Sequence, residues 1–161
     1  MEHIKLILVI ALMCCFSCKQ KELKTDDPKD NSPSVAQLKI QLKKKGFEIF
    51  DYIDPKTQDT IIMQQYFIAF LKTGPNRTQS VEEASKLQEA HLAHLGKMYE
   101  LGYADISGPF GDDGDIRGIT IYNTPTLKMA DSLANSDPMV KAGRLVIEMH
   151  PWWAAKGFPL R

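Results

Sequence analysis

Cysteine is missing from all but the first eighteen residues of this chain. Cys14, Cys15 and Cys18 are its three cysteines. Everything beyond them is therefore built without disulfides, thiol nucleophiles or cysteine-ligated zinc. An excess of charge is missing as well: Lys plus Arg and Asp plus Glu stand at 20 each. No basic face is implied, which argues against nucleic acid as a partner and against membrane attachment by charge alone. The longest greasy run near the start, Leu6 to Met13, is too short to span a bilayer as a mature helix. What remains is a hydrophobic content of 43%, ordinary for a globular core, in a length that suits one domain with appendages.

The appendages come first. Lys5 followed by that apolar run has the pattern of a secretory leader, residues 1–17. Ser17-Cys18 at its end resembles a bacterial lipoprotein cleavage site, with Cys18 as the residue to be lipidated. An ordinary cleaved signal peptide, or an uncleaved anchor, is the simpler alternative. Residues 18–34 hold one apolar residue beyond Cys18, two prolines and mixed charge. Such a stretch cannot bury enough surface to order itself and reads as a tether. Together these segments predict a lipid-anchored protein of the cell envelope, facing the outer membrane or periplasm.

Residues 35–63 read as an N-terminal extension. Val35, Leu38 and Leu42 sit at helical spacing, and two short strands around Pro55-Lys56-Thr57 suggest a hairpin. Beyond it, residues 64–161 form the main domain. Gln65 to Thr73 predicts a strand greasy on both sides. Val81 to Leu101 predicts the longest helix, with Ser80 and Glu83 as a capping box and Gly102 just past its end. Ala104 to Ser107 and Arg117 to Tyr122 predict two further strands. Thr124-Pro125 opens a second helix with Pro at its first position, and Arg144 to Met149 predicts the last strand, running into His150-Pro151-Trp152-Trp153. The order β-α-β-β-α-β is the ferredoxin-like arrangement, an α+β fold. The helices cover one face of such a sheet. The other face must be covered too, and two sheets packed face to face in a dimer are one common solution.

One residue breaks the pattern of the long helix. At about 100° per residue, Ala84, Leu87, His91, Leu95 and Met98 fall within roughly 40° of one line. A titratable imidazole in the middle of a greasy stripe is costly unless a partner satisfies it. His91 therefore either lines a pocket or is a core histidine bonded to a carbonyl. An imidazole held by a carboxylate is suited to general acid/base work, because the carboxylate fixes its tautomer. Asp137, read on its own, suits the N-cap of a turn beginning at Pro138.

Ser107, Gly108 and Pro109 end a strand in a tight turn, where glycine lets backbone approach a ligand. A plain bend accounts for them equally. Arg117 can hold a carboxylate or phenolate through paired N–H donors. Its competing role is surface pairing with Asp112, Asp113 or Asp115. The acidic loop Gly111 to Asp115 lacks calcium-loop spacing, and His94 and His150 form no recognised metal motif with His91. No metal or cofactor is expected.

The run His91-Leu92-x-x-Leu95, Gly102, Ser107-Gly108-Pro109-Phe110, Asp137-Pro138 and Ala142-Gly143 resembles the YCII-related domain, over roughly Gln65 to Trp153. The resemblance implies a dimeric ferredoxin-like α/β barrel with a His–Asp pair at its site, here His91 and Asp137. It also implies relatives that include a branch removing chloride from a chlorinated aromatic diol, and muconolactone isomerases sharing the fold. The expected function is acid/base chemistry, by proton transfer or elimination, on a small molecule. The alternatives are a non-catalytic ligand-binding or interaction lipoprotein, and a purely structural dimer.

Overall fold

The computed structural model describes residues 33–158 and Leu160. The leader, the Cys18 lipidation site and the tether as far as Ser32 lie outside the described residues.

Helix α1 (Val35–Lys44) opens on a capping box between Ser34 and Gln37. It buries Leu42, and Lys39 meets Asp51 at 2.6 Å. Strands β1 (Ile49–Ile53) and β2 (Thr60–Thr73) form an antiparallel hairpin registered by Ile53 opposite Thr60. The expected break between a returning hairpin strand and a core strand does not occur: β2 is one strand of 14 residues. Nothing between Met63 and Gln65 interrupts it, since the ladder with β5 runs unbroken from Met63 to Thr73 while the other edge passes from β1, ending at Gln64, to β4, starting at Phe67.

The rest follows the ferredoxin-like order. Helix α2 (Val81–Glu100) leads to β3 (Ala104–Pro109) and β4 (Ile116–Tyr122). Helix α3 (Leu127–Ala134), the four-residue α4 (Pro138–Lys141) and β5 (Leu145–Ala155) complete it. Strand β2 is central. It pairs with β5 on one edge, and on the other with β1 and then β4; β3 pairs with β4. All pairings are antiparallel. β5 extends past Met149 to Ala155, through Pro151. An edge strand tolerates that proline because one side of its backbone has no ladder to serve.

Alternation along β2 sorts the two faces. Phe67, Ala69 and Leu71 join Met98 of α2, Ala130 and Ala134 of α3, Met139 of α4 and Leu145 in one buried cluster. Tyr66, Ile68 and Phe70 face the other way. The predicted stripe of α2 is the face it buries: His91 and Met98 are buried, and Ala84, Leu87 and Leu95 half-buried. The second helix starts later than expected. Thr126, not Thr124, is its N-cap, accepting from Met129 N at 3.2 Å, so Pro125 precedes the cap and is not the first helical residue.

Two glycines permit close backbone approach between neighbouring segments. A Cβ on Gly74 would lie 2.2 Å from Gly143 O, and one on Gly118 would lie 2.6 Å from Gly108 O. Both distances are forbidden to any larger residue.

Candidate active site

His91 is delivered by the middle of α2, on the side packed against the sheet. Asp137 arrives from the turn between α3 and α4. Its Oδ1 caps α4 by accepting from Met139 N at 2.8 Å. Its other oxygen, Oδ2, lies 2.6 Å from His91 Nδ1. The two roles open for Asp137 are thus held together: a cap that fixes the carboxylate, and a carboxylate that faces an imidazole. Both side chains are buried, at 8% exposure for His91 and 3% for Asp137.

The geometry sets the tautomer. An ionised carboxylate only accepts, so Nδ1 carries the proton that meets it. His91 Nε2 then bears the lone pair. That nitrogen has no partner among the described residues and is not sealed from solvent, and His91 lines a cleft of about 640 Å³. This volume is within the range of small-molecule sites. Leu71, Leu92, Leu95, Met139 and Leu145 supply its apolar surface.

Ser107, Gly108, Pro109 and Arg117 line the same cleft, so the structure gathers every candidate ligand-binding residue around the pair. Ser107 Oγ is 3.0 Å from Thr120 Oγ1. Gly108 sits in a regular ladder opposite Ile119, without the left-handed backbone a tight turn would need. Arg117 donates to Gly114 O at 3.1 Å, while Asp115 is taken by Lys72 at 3.5 Å. The surface-pairing alternative for Arg117 is therefore not how this guanidinium is bound.

Two neighbours sense the buried carboxylate. Burial, aided by the Asp137 charge, pushes the Tyr122 phenol above its ordinary range. Burial holds the His94 imidazole below the usual histidine range, against an upward pull from Asp137. His94 Nε2 is enclosed without a partner. His150 lies on the opposite face of the sheet. Its Nε2 is 2.8 Å from Glu148 and its ring is edge-on to Phe70. Trp152 packs on Tyr66 and Trp153 on Phe50. Among the described residues no three His, Cys, Asp or Glu side chains converge on one point.

Arg77, Gln88 and Arg144 also line the cleft and were not singled out by sequence reasoning. Arg144 is placed by the close approach at Gly74, whose N donates to Arg144 O at 2.9 Å. Asn76 ties down the loop carrying Arg77 by donating to Ala142 O at 3.0 Å. No periodicity marks these loop residues. The Gly-Pro and Gly-Arg dipeptides beside them are the one available signal.

The class defined by fold and site is a ferredoxin-like α+β domain with a buried imidazole–carboxylate pair opening on a cleft. The particular family follows from sequence: the pattern of the YCII-related domain matches residues 67–152, more than half of the chain, and the chain belongs to that family. Helix α1 and strand β1 precede the matched region. Among solved structures, the 5-chloro-2-hydroxyhydroquinone dehydrochlorinase TftG of Burkholderia phenoliruptrix AC1100, in complex with 2,5-dihydroxybenzoquinone, is similar at 23% identity. The similarity covers 54% of this chain and 92% of that one, with a TM-score of 0.40. Comparison with curated proteins returns no match.

Proposed function

We propose that this chain is an acid/base enzyme acting on a small organic molecule. His91 is the proton carrier and Asp137 its positioning residue. One observation carries the reading: the 2.6 Å contact that commits His91 Nδ1 to Asp137 beside an open cleft. In the reaction, the Nε2 lone pair takes a proton from a substrate carbon. The electron pair left behind either forms a double bond as a leaving group departs with its own pair, or is held as an enolate and reprotonated elsewhere by the imidazolium. The first course is elimination and the second isomerisation. Asp137 stabilises the imidazolium in both. A donor on the wall, foremost Arg117, stabilises charge developing on a substrate oxygen.

A binding module without chemistry has less support. It needs no fixed tautomer, and it gives no account of a carboxylate buried against the imidazole. The test is turnover on a panel of chlorinated aromatic diols and unsaturated lactones, read as chloride release or change in absorbance. His91→Ala and His91→Gln are expected to lose turnover while keeping the circular dichroism of the parent. Full activity in either variant, or no turnover of any panel member by the parent, overturns the proposal.

Two features of setting belong to the same reading. The sheet face turned away from α2 carries Ile68 and Phe70 half-exposed, with Val146 at 40% and Trp152 at 41% exposure. A second copy covering this face gives the dimeric barrel, and sedimentation of Trp152→Asp as a monomer beside a dimeric parent tests it. Lipidation at Cys18 places the domain on the envelope. Release of Cys18→Ala from the membrane fraction tests that.

A further inference from the structure

Three arginines line the cleft beside His91: Arg77, Arg117 and Arg144. They come from three separate places, the loop before α2, strand β4 and the turn before β5. None of them is in a salt bridge among the described residues. Two carboxylates, Asp113 and Asp115, also line the cleft. Asp115 already faces Lys72. His91 faces the charge of Asp137, which caps α4. The arginines therefore outweigh the acids that share their space.

Arg144 shows the arrangement most clearly. Its Nη1 donates to Gln79 Oε1 at 2.8 Å, which anchors one side of the guanidinium. Its Nε is enclosed and has no partner. A buried donor left unpaired costs free energy, and an anion in the cleft that Arg144 lines reaches Nε only if the side chain shifts, a shift this cost favours. The Nε side of a guanidinium is one of the two edges that grip a carboxylate through parallel N–H bonds.

We infer that these arginines form a carboxylate subsite, and that the substrate is a small organic acid with its acidic carbon at His91. This rests on the acid/base reading of His91 and extends it to a substrate class. The two parts of the cleft cooperate. Removing a proton next to a carboxylate builds a second negative charge on the substrate. Guanidinium groups that neutralise the first charge lower the cost of the second. Apolar walls from Leu92, Leu95 and Leu145 take the carbon skeleton.

The test uses benzoate as the anionic probe and benzamide as its neutral isostere, each titrated into the full folded domain and followed by amide chemical shifts. Benzoate is expected to bind at the cleft about tenfold or more tighter than benzamide. Arg144→Gln and Arg117→Gln are each expected to weaken benzoate by a similar factor, and Arg144→Lys by less. Lys86→Gln, in an exposed helix pair that is not part of the cleft lining, leaves it unchanged. Equal binding of the two probes, no binding of benzoate, or full affinity in Arg144→Gln and Arg117→Gln overturns the subsite. The parent comparison stands even where a variant fails to fold. Carbon-proton exchange is read separately. Benzoate binding with no exchange on any substrate leaves the subsite and removes the acid/base reading; exchange on neutral molecules alone, with benzoate silent, removes the subsite and leaves the chemistry.

Discussion

Replacing Asp137 by Asn separates the two things this carboxylate does. In Asp137→Asn the side-chain oxygen still accepts from Met139 N, because asparagine is among the best N-caps. The group now facing His91 is an amide NH₂, a donor where the carboxylate accepted. His91 Nδ1 must become the acceptor, so the proton moves to Nε2 and the lone pair leaves the cleft. The fold keeps its cap and its hydrogen bond, and the base is lost. Asp137→Ala does something different: it removes the cap, worth about 1 kcal/mol, and orphans the buried His91 donor at about 1–3 kcal/mol. Stability then falls by about 3 kcal/mol, or roughly 10 °C in a domain of this size. Nitrogen chemical shifts of the imidazole report the tautomer directly, and urea titration reports stability. The expected results are an inverted tautomer and about 10²–10⁴-fold lower turnover in Asp137→Asn, with most of the stability retained. A parent tautomer kept in that variant, or equal stability losses for Asn and Ala, refutes the reasoning.

Other outcomes follow from the same structure. Gly74→Ala drives a methyl into Gly143 O and destabilises by about 3 kcal/mol in urea titration; a neutral result contradicts the close approach that sets Arg144. Burial lowers the folded-state affinity of His94 for a proton, so the unfolded chain takes one up first as pH falls through about 6.5. Stability therefore declines below that pH, and His94→Leu flattens the slope before the carboxylates titrate. An unchanged slope in a series of melts from neutral to mildly acid pH counts against it. Lys86→Gln breaks an exposed pair with Glu82 at 2.7 Å and changes the melting temperature little.

Much of this was legible in the sequence, and the reasons are local. The α2 face was readable because a capping box, a 3.6-residue stripe and a terminal glycine all agree along one long helix. The order of strands was readable because each is bounded by Gly, Pro or Asp. The stripe marked His91 as needing a partner and Asp-Pro marked a helix start, but only the family resemblance joined the two, because they lie 46 residues apart and on different elements. The continuity of β2 was hidden, since Gln64 and Gln65 look polar and Gln64 is nevertheless fully buried, bonded to Asn123 at 2.7 Å. The start of α3 slipped because Thr124 and Thr126 are both competent caps, and only the backbone decides between them. Arg77 and Arg144 were invisible because loops carry no period; their convergence depends on Gly74 meeting Gly143, far away along the chain.

Removal of a proton from carbon by His91 Nε2 is the central claim. Carbon acids from the same panel, incubated with the protein in heavy water, give a direct reading by proton resonance. The expected result is deuterium entering a substrate C–H position with the parent, and neither His91→Ala nor Asp137→Asn supporting it above buffer. Exchange that persists in His91→Ala, or no exchange on any carbon acid with the parent, contradicts it.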